Sequence, residues 1–190
     1  MDTLVAHFLI GGDEHGFMYD STDDRPDICS ICKNRIKDIP NPNYKLKSRR
    51  NMVTTYDHYT IVSEQFREFY LCNEYANIHF TELIKCKGYY ILDVGNVCYL
   101  DEERGHTQFI RHRNCCGSYD EVISPSMYLS KENNFLSNDF ICRSYYSYGS
   151  FYYKLYKIII GRDLCKTLPH SLLFLFLSTI GSPAVNIFDF

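Results

Sequence analysis

Tryptophan is absent from the 190 residues, and no apolar run approaches membrane-spanning length. The longest such run, residues 172–177, falls far short of the roughly 20 residues that a spanning helix needs, so it reads as buried core and no membrane partner is expected. No G-x-G-x-x-G, P-loop, H-E-x-x-H or G-x-S-x-G motif occurs, which removes the commonest nucleotide-binding, metalloprotease and serine-hydrolase readings. The opening Met1-Asp2-Thr3 lacks a basic segment followed by an apolar core and a small-residue cleavage site. Nine cysteines, an odd and irregularly spaced set, do not make a disulfide framework. Together these absences predict a chain of the reducing cytoplasm. Charge of either sign is scarce in net terms: −3 is too little to advertise nucleic acid or membrane through the overall field.

Apolar residues make up 45% of the chain, enough for one sizeable core, so a single domain spanning 1–190 is expected. Residues 1–58 read as an opening strand, an acidic segment, a cysteine knuckle and a connector; residues 59–190 read as the main body. The fold class expected is α+β, a mixed or antiparallel sheet with a few flanking helices and a zinc-knuckle element near the N-terminus. Residues 3–10 form a short apolar run closed by Gly11-Gly12, a strand by length. Thr60-Ile61-Val62 is extended, and Ser63 is placed to cap a helix over 63–75 with Glu64 in its first turn. Strands are expected at 78–83 and 89–94, the latter turned by Gly95-Asn96 into 97–100. The passage from Gly117 to Pro125 reads as turn-rich. Short extended pieces are expected at 127–129 and 140–143, then a strand at 157–160. It passes through Gly161 into a short helix with Leu164, Cys165 and Leu168 on one face, stopped by Pro169.

The chemistry-bearing stretch is Cys29-Ser30-Ile31-Cys32. Two cysteines separated by two residues can turn both sulfurs to one point, which is half of what tetrahedral zinc requires. The other half is sought in His112-Arg113-Asn114-Cys115-Cys116-Gly117. His112 and Cys115 repeat the two-residue gap, and Cys116 is the alternative fourth ligand. The expected cofactor is one structural zinc ion, because four protein donors leave no open position. The bland alternative is a set of inert reduced thiols. A thioredoxin-type role is disfavoured by the proline-containing polar flanks. Catalysis by Cys115 or Cys116 with His58, His79 or His112 as base would require contacts that spacing does not reveal.

Tyrosine and phenylalanine number 17 and 13. Tyr145, Tyr146, Tyr148, Tyr152 and Tyr153, with Arg143, suit a strand pair having one face in the core and one at a partner surface. An acidic segment with Asp20, Asp23 and Asp24 and a basic run at Lys45, Lys47, Arg49 and Arg50 read as solvated loops. Asp20, Asp23 and Asp24 are also candidate partner-binding residues.

Ile61-Val62-Ser63-Glu64-Gln65-Phe66-Arg67-Glu68-Phe69, Gly88-Tyr89-Tyr90-Ile91-Leu92-Asp93-Val94 and Asp139-Phe140-Ile141-Cys142-Arg143 occur in that order. With Ile159-Ile160-Gly161-Arg162-Asp163-Leu164 they resemble the Imm11-like and double-CxxCG immunity proteins of bacterial polymorphic toxin systems. In a double-CxxCG protein a glycine would stand at Lys33 and a cysteine at Arg113. The resemblance implies a cytoplasmic immunity protein, an antitoxin that neutralises one cognate toxin by direct contact. The resemblance also implies no catalysis of its own, and neither a small-molecule substrate nor a nucleic-acid partner is expected. Two rivals remain: a zinc-stabilised nucleic-acid-binding or regulatory domain using the basic run and tyrosines, and a cysteine-dependent enzyme or effector.

Overall fold

The computed structural model describes residues 6–21, 25–134, 139–169 and 176–180. In chain order the elements are β1 (Ala6–Ile10), β2 (Gly12–Asp13), β3 (Met52–Thr54), β4 (Thr60–Ser63), α1 (Glu64–Cys72), β5 (Ile78–Glu82) and β6 (Tyr89–Val94). There follow β7 (Val97–Cys98), β8 (Gln108–Arg113), β9 (Ser118–Ile123), β10 (Ile141–Ser150), β11 (Leu155–Gly161), α2 (Arg162–Thr167) and β12 (Phe176–Ile180). They form two sheets, a smaller one ordered β2-β3-β4-β6-β5 and a larger one ordered β12-β1-β11-β10-β9-β8 with β7 alongside β10. The short β2–β3 and β7–β10 pairings are parallel. The longer ladders are antiparallel, so the fold is the expected α+β, with sheet dominating and α1 and α2 as its helices.

Alternation along the strands sorts the apolar residues into three cores. Met52, Val62, Leu92 and Val94 of the small sheet meet Leu9, Ile141 and Ile160 of the large sheet, together with Phe66, Tyr70 and Leu164 from the helices. The neighbouring residues Val53, Ile61 and Ile91 point the other way, onto Met18, Tyr44 and Leu46. On the far face of the large sheet, Phe8, Ile159, Cys142 and Tyr148 pack with Cys98 and Val122. Burying side chains such as Phe66, Ile61 or Ile160 stabilises by about 1.5–3 kcal/mol each.

Helix α1 starts where Ser63 accepts a bond from the Phe66 amide, as the capping signal requires. It ends three residues before the expected limit, because Glu74 and Asn77 turn to positive φ (55° and 57°). Strand β6 has the expected bounds, but it does not form a hairpin with β7. Gly95 donates to the Asn77 carbonyl at 2.7 Å, and the Asn96 side chain donates to Ala76 at 2.9 Å. The chain is thereby directed across to the large sheet, where β7 lies beside β10. The expected turn-rich passage at 117–125 is instead strand β9, paired with β8 in the register His112 to Tyr119 and Arg113 to Ser118.

The segment 34–58 is no solvated connector. Tyr44 and Leu46 are buried while Lys45 and Lys47 between and after them are exposed, the period-two pattern of a stretch laid on a core. Two residues of the acidic segment are fully buried. Glu14 accepts bonds from the amides of Lys47 and Ser48 and from the Tyr44 hydroxyl, which anchors the basic run. Asp27 accepts two bonds from Arg25 and one at 2.7 Å from Tyr59. Arg25 also pairs with the buried Asp57 at 3.2 Å, and the Asp57 carboxylate holds the Met18 amide at 2.7 Å. Of the acidic partner candidates, Asp20 is exposed, whereas Asp23 and Asp24 lie outside the described residues. Most of the apolar run 172–177 lies outside them as well.

Candidate metal centre

Each cysteine pair sits on a tight turn. In the first, Ile28 bridges to Arg35, Cys29 donates to the Asn34 carbonyl at 2.8 Å, and Lys33 donates back to the Cys29 carbonyl at 2.9 Å. Closing the turn puts Lys33 at φ 60°, the left-handed conformation that glycine adopts most readily. In the second, β8 and β9 close through residues 114–117. The amides of Cys116 and Gly117 both donate to the Arg113 carbonyl, and Gly117 takes φ 69°. Lys33 therefore has the left-handed backbone geometry that Gly117 adopts in the second turn.

The two turns face each other. The sulfurs of Cys29, Cys32, Cys115 and Cys116 all lie within 4.8 Å of one another, although the pairs are more than eighty positions apart in sequence. The Cys29–Cys115 separation is 3.9 Å and the Cys32–Cys116 separation 3.5 Å. Four sulfurs around a tetrahedral ion at bonds of about 2.3 Å would stand about 3.8 Å apart. The donor set fits that geometry, and these four residues can hold a metal ion.

His112 does not belong to this group. Its imidazole lies on β8 against the Tyr119 ring, centroids 5.1 Å apart, while both Cys115 and Cys116 enter. The two-residue gap that suggested His112 with Cys115 is a coincidence of spacing. At a hairpin tip the strand alternation is broken, so adjacent residues can present sulfurs to the same side.

Electrostatics favour a cation here. Cys29 is drawn down to about 7, chiefly by the Cys32 and Ile31 amides donating to its sulfur. Cys115 is pushed up to about 12, chiefly by its hydrogen bond with Cys32 and then by burial, and Cys116 is raised chiefly by burial. Thiols this close suppress one another's ionisation, and a divalent ion relieves the penalty by fixing all of them as thiolates. Two cationic side chains stand beside them. Lys154 is buried, its ammonium donating to Ser118 Oγ and the Tyr119 carbonyl at 2.5 Å each. Burial lowers its pKa, against the pull of Cys116, Cys32 and Asp120. Arg113 makes a two-pronged bond to Asp120 at 2.8 and 2.7 Å, which raises its pKa. Asn34 of the first turn donates to the same carboxylate at 3.0 Å, so Asp120 ties the turns together.

Asn34, Asp120 and Lys154 carry no spacing signal, and sequence reasoning missed them. Of the partner candidates, Tyr145 is exposed, Tyr146 is half-buried against Phe109, and Tyr152 and Tyr153 stack at 4.1 Å. Tyr148 is 4% exposed and belongs to the core, which removes it from any contact surface. Arg143 faces the space between the sheets, stacked on Tyr156 at 4.1 Å.

An exposed aromatic group was not anticipated. Phe17 meets Tyr56 at 5.2 Å and Tyr153 at 6.4 Å, with His58 near Tyr153. Phe17, Tyr56 and Tyr153 are 41, 42 and 38% exposed. Among the described residues, no helix is long and apolar enough to cross a membrane. Comparison with protein-family models, curated proteins and solved structures gives no significant match.

Proposed function

We propose that this chain is a non-catalytic binding protein, stapled by one structural zinc ion on Cys29, Cys32, Cys115 and Cys116, whose partner is another protein. Within that class we read it as an immunity protein that covers a cognate bacterial toxin in the cytoplasm. The observation that carries the reading is the exposed cluster of Phe17, Tyr56 and Tyr153. Large rings held at the surface in fixed orientation are what protein interfaces use as anchors. Tyr152, stacked on Tyr153, has the Arg25 guanidinium 5.6 Å above its ring, and Arg25 is fixed by Asp27 and Asp57. A surface so pre-organised loses little entropy on binding.

The test is capture of a partner protein from the source cells, followed by co-expression of this chain with any toxin so captured. The expected result is restored growth and a stoichiometric complex, weakened about thirtyfold by Tyr153→Ala together with Phe17→Ala. An undiminished complex would remove the aromatic cluster as the interface; no protection and no complex would discard the immunity reading.

A second reading has its own observation. A groove of about 850 Å³ is lined by Lys45, Lys47 and Lys85 with Phe17, Tyr44 and Tyr56, a basic and aromatic combination suited to single-stranded nucleic acid. Binding that falls steeply with salt would favour it.

A further inference from the structure

A cavity of about 230 Å³ lies between the sheets, with room for roughly seven or eight waters at their liquid volume. Its two walls carry the same device. On one wall the Arg35 guanidinium lies 4.1 Å from the Tyr59 ring; on the other, the Arg143 guanidinium lies 4.1 Å from the Tyr156 ring. A guanidinium flat on a ring keeps its N–H donors free at its edge, where they match an oxyanion.

Neither guanidinium is fully used by the protein. Arg35 is 5% exposed at its side chain; it pairs with Asp38 at 2.9 Å and donates to the Asp57 and Lys154 carbonyls, yet its buried Nε has no partner. Among the described residues the Arg143 guanidinium makes no ion pair, and the hydrogen bond it does make is a 3.4 Å contact to the Ser144 carbonyl. A buried donor without an acceptor is costly, and one close ligand oxygen satisfies it. His58 and His79 also line the space, as hydrogen-bonding groups of adaptable charge. Burial chiefly, then Arg35 and Lys157, hold His58 down to about 4 against the pull of Asp57, so the imidazole faces the cavity uncharged near neutral pH. Two carboxylates line the space too: Asp38 is taken up by Arg35, and Asp93 is exposed and, among the described residues, in no ion pair with Arg143.

We propose that this cavity binds the oxyanion end, phosphate or carboxylate, of a small metabolite between Arg143 and Arg35. The size excludes a polymer chain, and the Arg143 fork together with the one unpartnered Nε–H of Arg35 selects for an anion with at least two accessible oxygens. This goes beyond the partner-protein reading and adds a small-molecule ligand where no small-molecule substrate was expected. It stands whether or not a toxin is bound.

Inorganic phosphate and succinate serve as probes, titrated into the zinc-loaded full chain by calorimetry and histidine NMR. The expected result is saturable binding of at least one probe, with His58 resonances shifted and its pKa raised in the bound state. Arg143→Gln weakens that binding about tenfold or more, whereas Lys85→Gln, in the separate groove, leaves it unchanged. Phosphate alone binding assigns a phosphate ligand, and succinate alone a carboxylate. Absence of saturable binding of both to the wild-type chain overturns the proposal, and that arm needs no variant. Equal binding by a folded Arg143→Gln also overturns it, as does a His58 resonance that stays fixed at saturation. If Arg143→Gln fails to fold, Arg143→Lys, which keeps the charge and loses the fork, is expected to weaken binding severalfold.

Discussion

Removing a metal ion held by Cys29, Cys32, Cys115 and Cys116, the staple proposed above, should cost stability by an amount set by chain topology. The staple joins residues 86 positions apart, Cys29 and Cys115, across 3.9 Å. Treated as a cross-link that removes loop-closure entropy from the unfolded chain, a loop of that length stabilises by about 4–5 kcal/mol. For a chain of this size each kcal/mol moves Tm by about 2–4 °C, so a loss of roughly 10–20 °C is expected. Metal that also binds the unfolded cysteines lowers the figure. The assay is thermal unfolding of reduced protein with and without a strong chelator, alongside elemental analysis. Cys32→Ser should unfold early even with zinc present, and the chelator should then lower it no further. Cys72→Ser, on the exposed face of α1, should leave both Tm and metal content unchanged. Protein purified reduced and without chelator that carries no zinc would refute the reasoning. So would a chelator effect that is equal in Cys32→Ser and wild type.

Acid should weaken the fold in a defined window. His58 has its folded pKa held at about 4, below the ordinary 6.5 of a free imidazole, chiefly through burial and then Arg35 and Lys157, against Asp57. The unfolded chain therefore takes up this proton first, so the contribution is complete above pH 6.5 and is lost as pH falls toward 4. Its size is up to about 3 kcal/mol; His58→Asn should flatten that part of the stability profile, read by denaturant titration at each pH. Glu14→Ala leaves the Lys47 and Ser48 amides and the Tyr44 hydroxyl without their acceptor. A loss of about 3 kcal/mol is expected, with faster tryptic cleavage at residues 45–50. Gly117→Ala meets no steric contact within 4 Å but must hold φ 69°, so it should destabilise by about 1 kcal/mol. Lys33→Gly, relieving φ 60°, should be neutral or stabilising by less than about 1 kcal/mol in the same measurement.

What sequence made legible was local. Ser63, Glu64 and the apolar residues after them specify a capped helix within one turn, and Tyr89-Tyr90-Ile91-Leu92-Asp93-Val94 specifies a strand by its own composition. The hairpin of β8 and β9 was hidden because β8 is mostly exposed, so Gln108, Arg111 and His112 show no apolar alternation. The buried role of Glu14 and Asp27 was hidden because their partners, Lys47 and Tyr59, lie 33 and 32 positions away. The same holds for the metal centre. Cys29 and Cys32 are recognisable from spacing within a single turn. The choice of Cys116 over His112 depends on which side of a hairpin tip each side chain leaves, and that follows from the register of two strands.

The staple, the buried charges and the proposed contact surface bear on one segment. Cys29 and Cys32 follow directly on Arg25 and Asp27, and Asn34 and Arg35 come directly after them. The first turn is thus tied to the hairpin tip through sulfur and Asp120, and to the small sheet through Asp57 and Tyr59. Arg25 is then held between the rings of Tyr19 and Tyr152, at 4.9 and 5.6 Å. Tyr152 in turn sets the position of Tyr153 against Phe17. Tyr59, which accepts the Arg35 stack on one wall of the cavity, also donates to Asp27. A metal ion at the four cysteines would not touch a partner or an anion, yet both proposed sites take their geometry from the segment it holds. That arrangement explains why an ion with no open coordination position can matter for binding: it fixes where the aromatic rings and the Arg35 fork point before any ligand arrives.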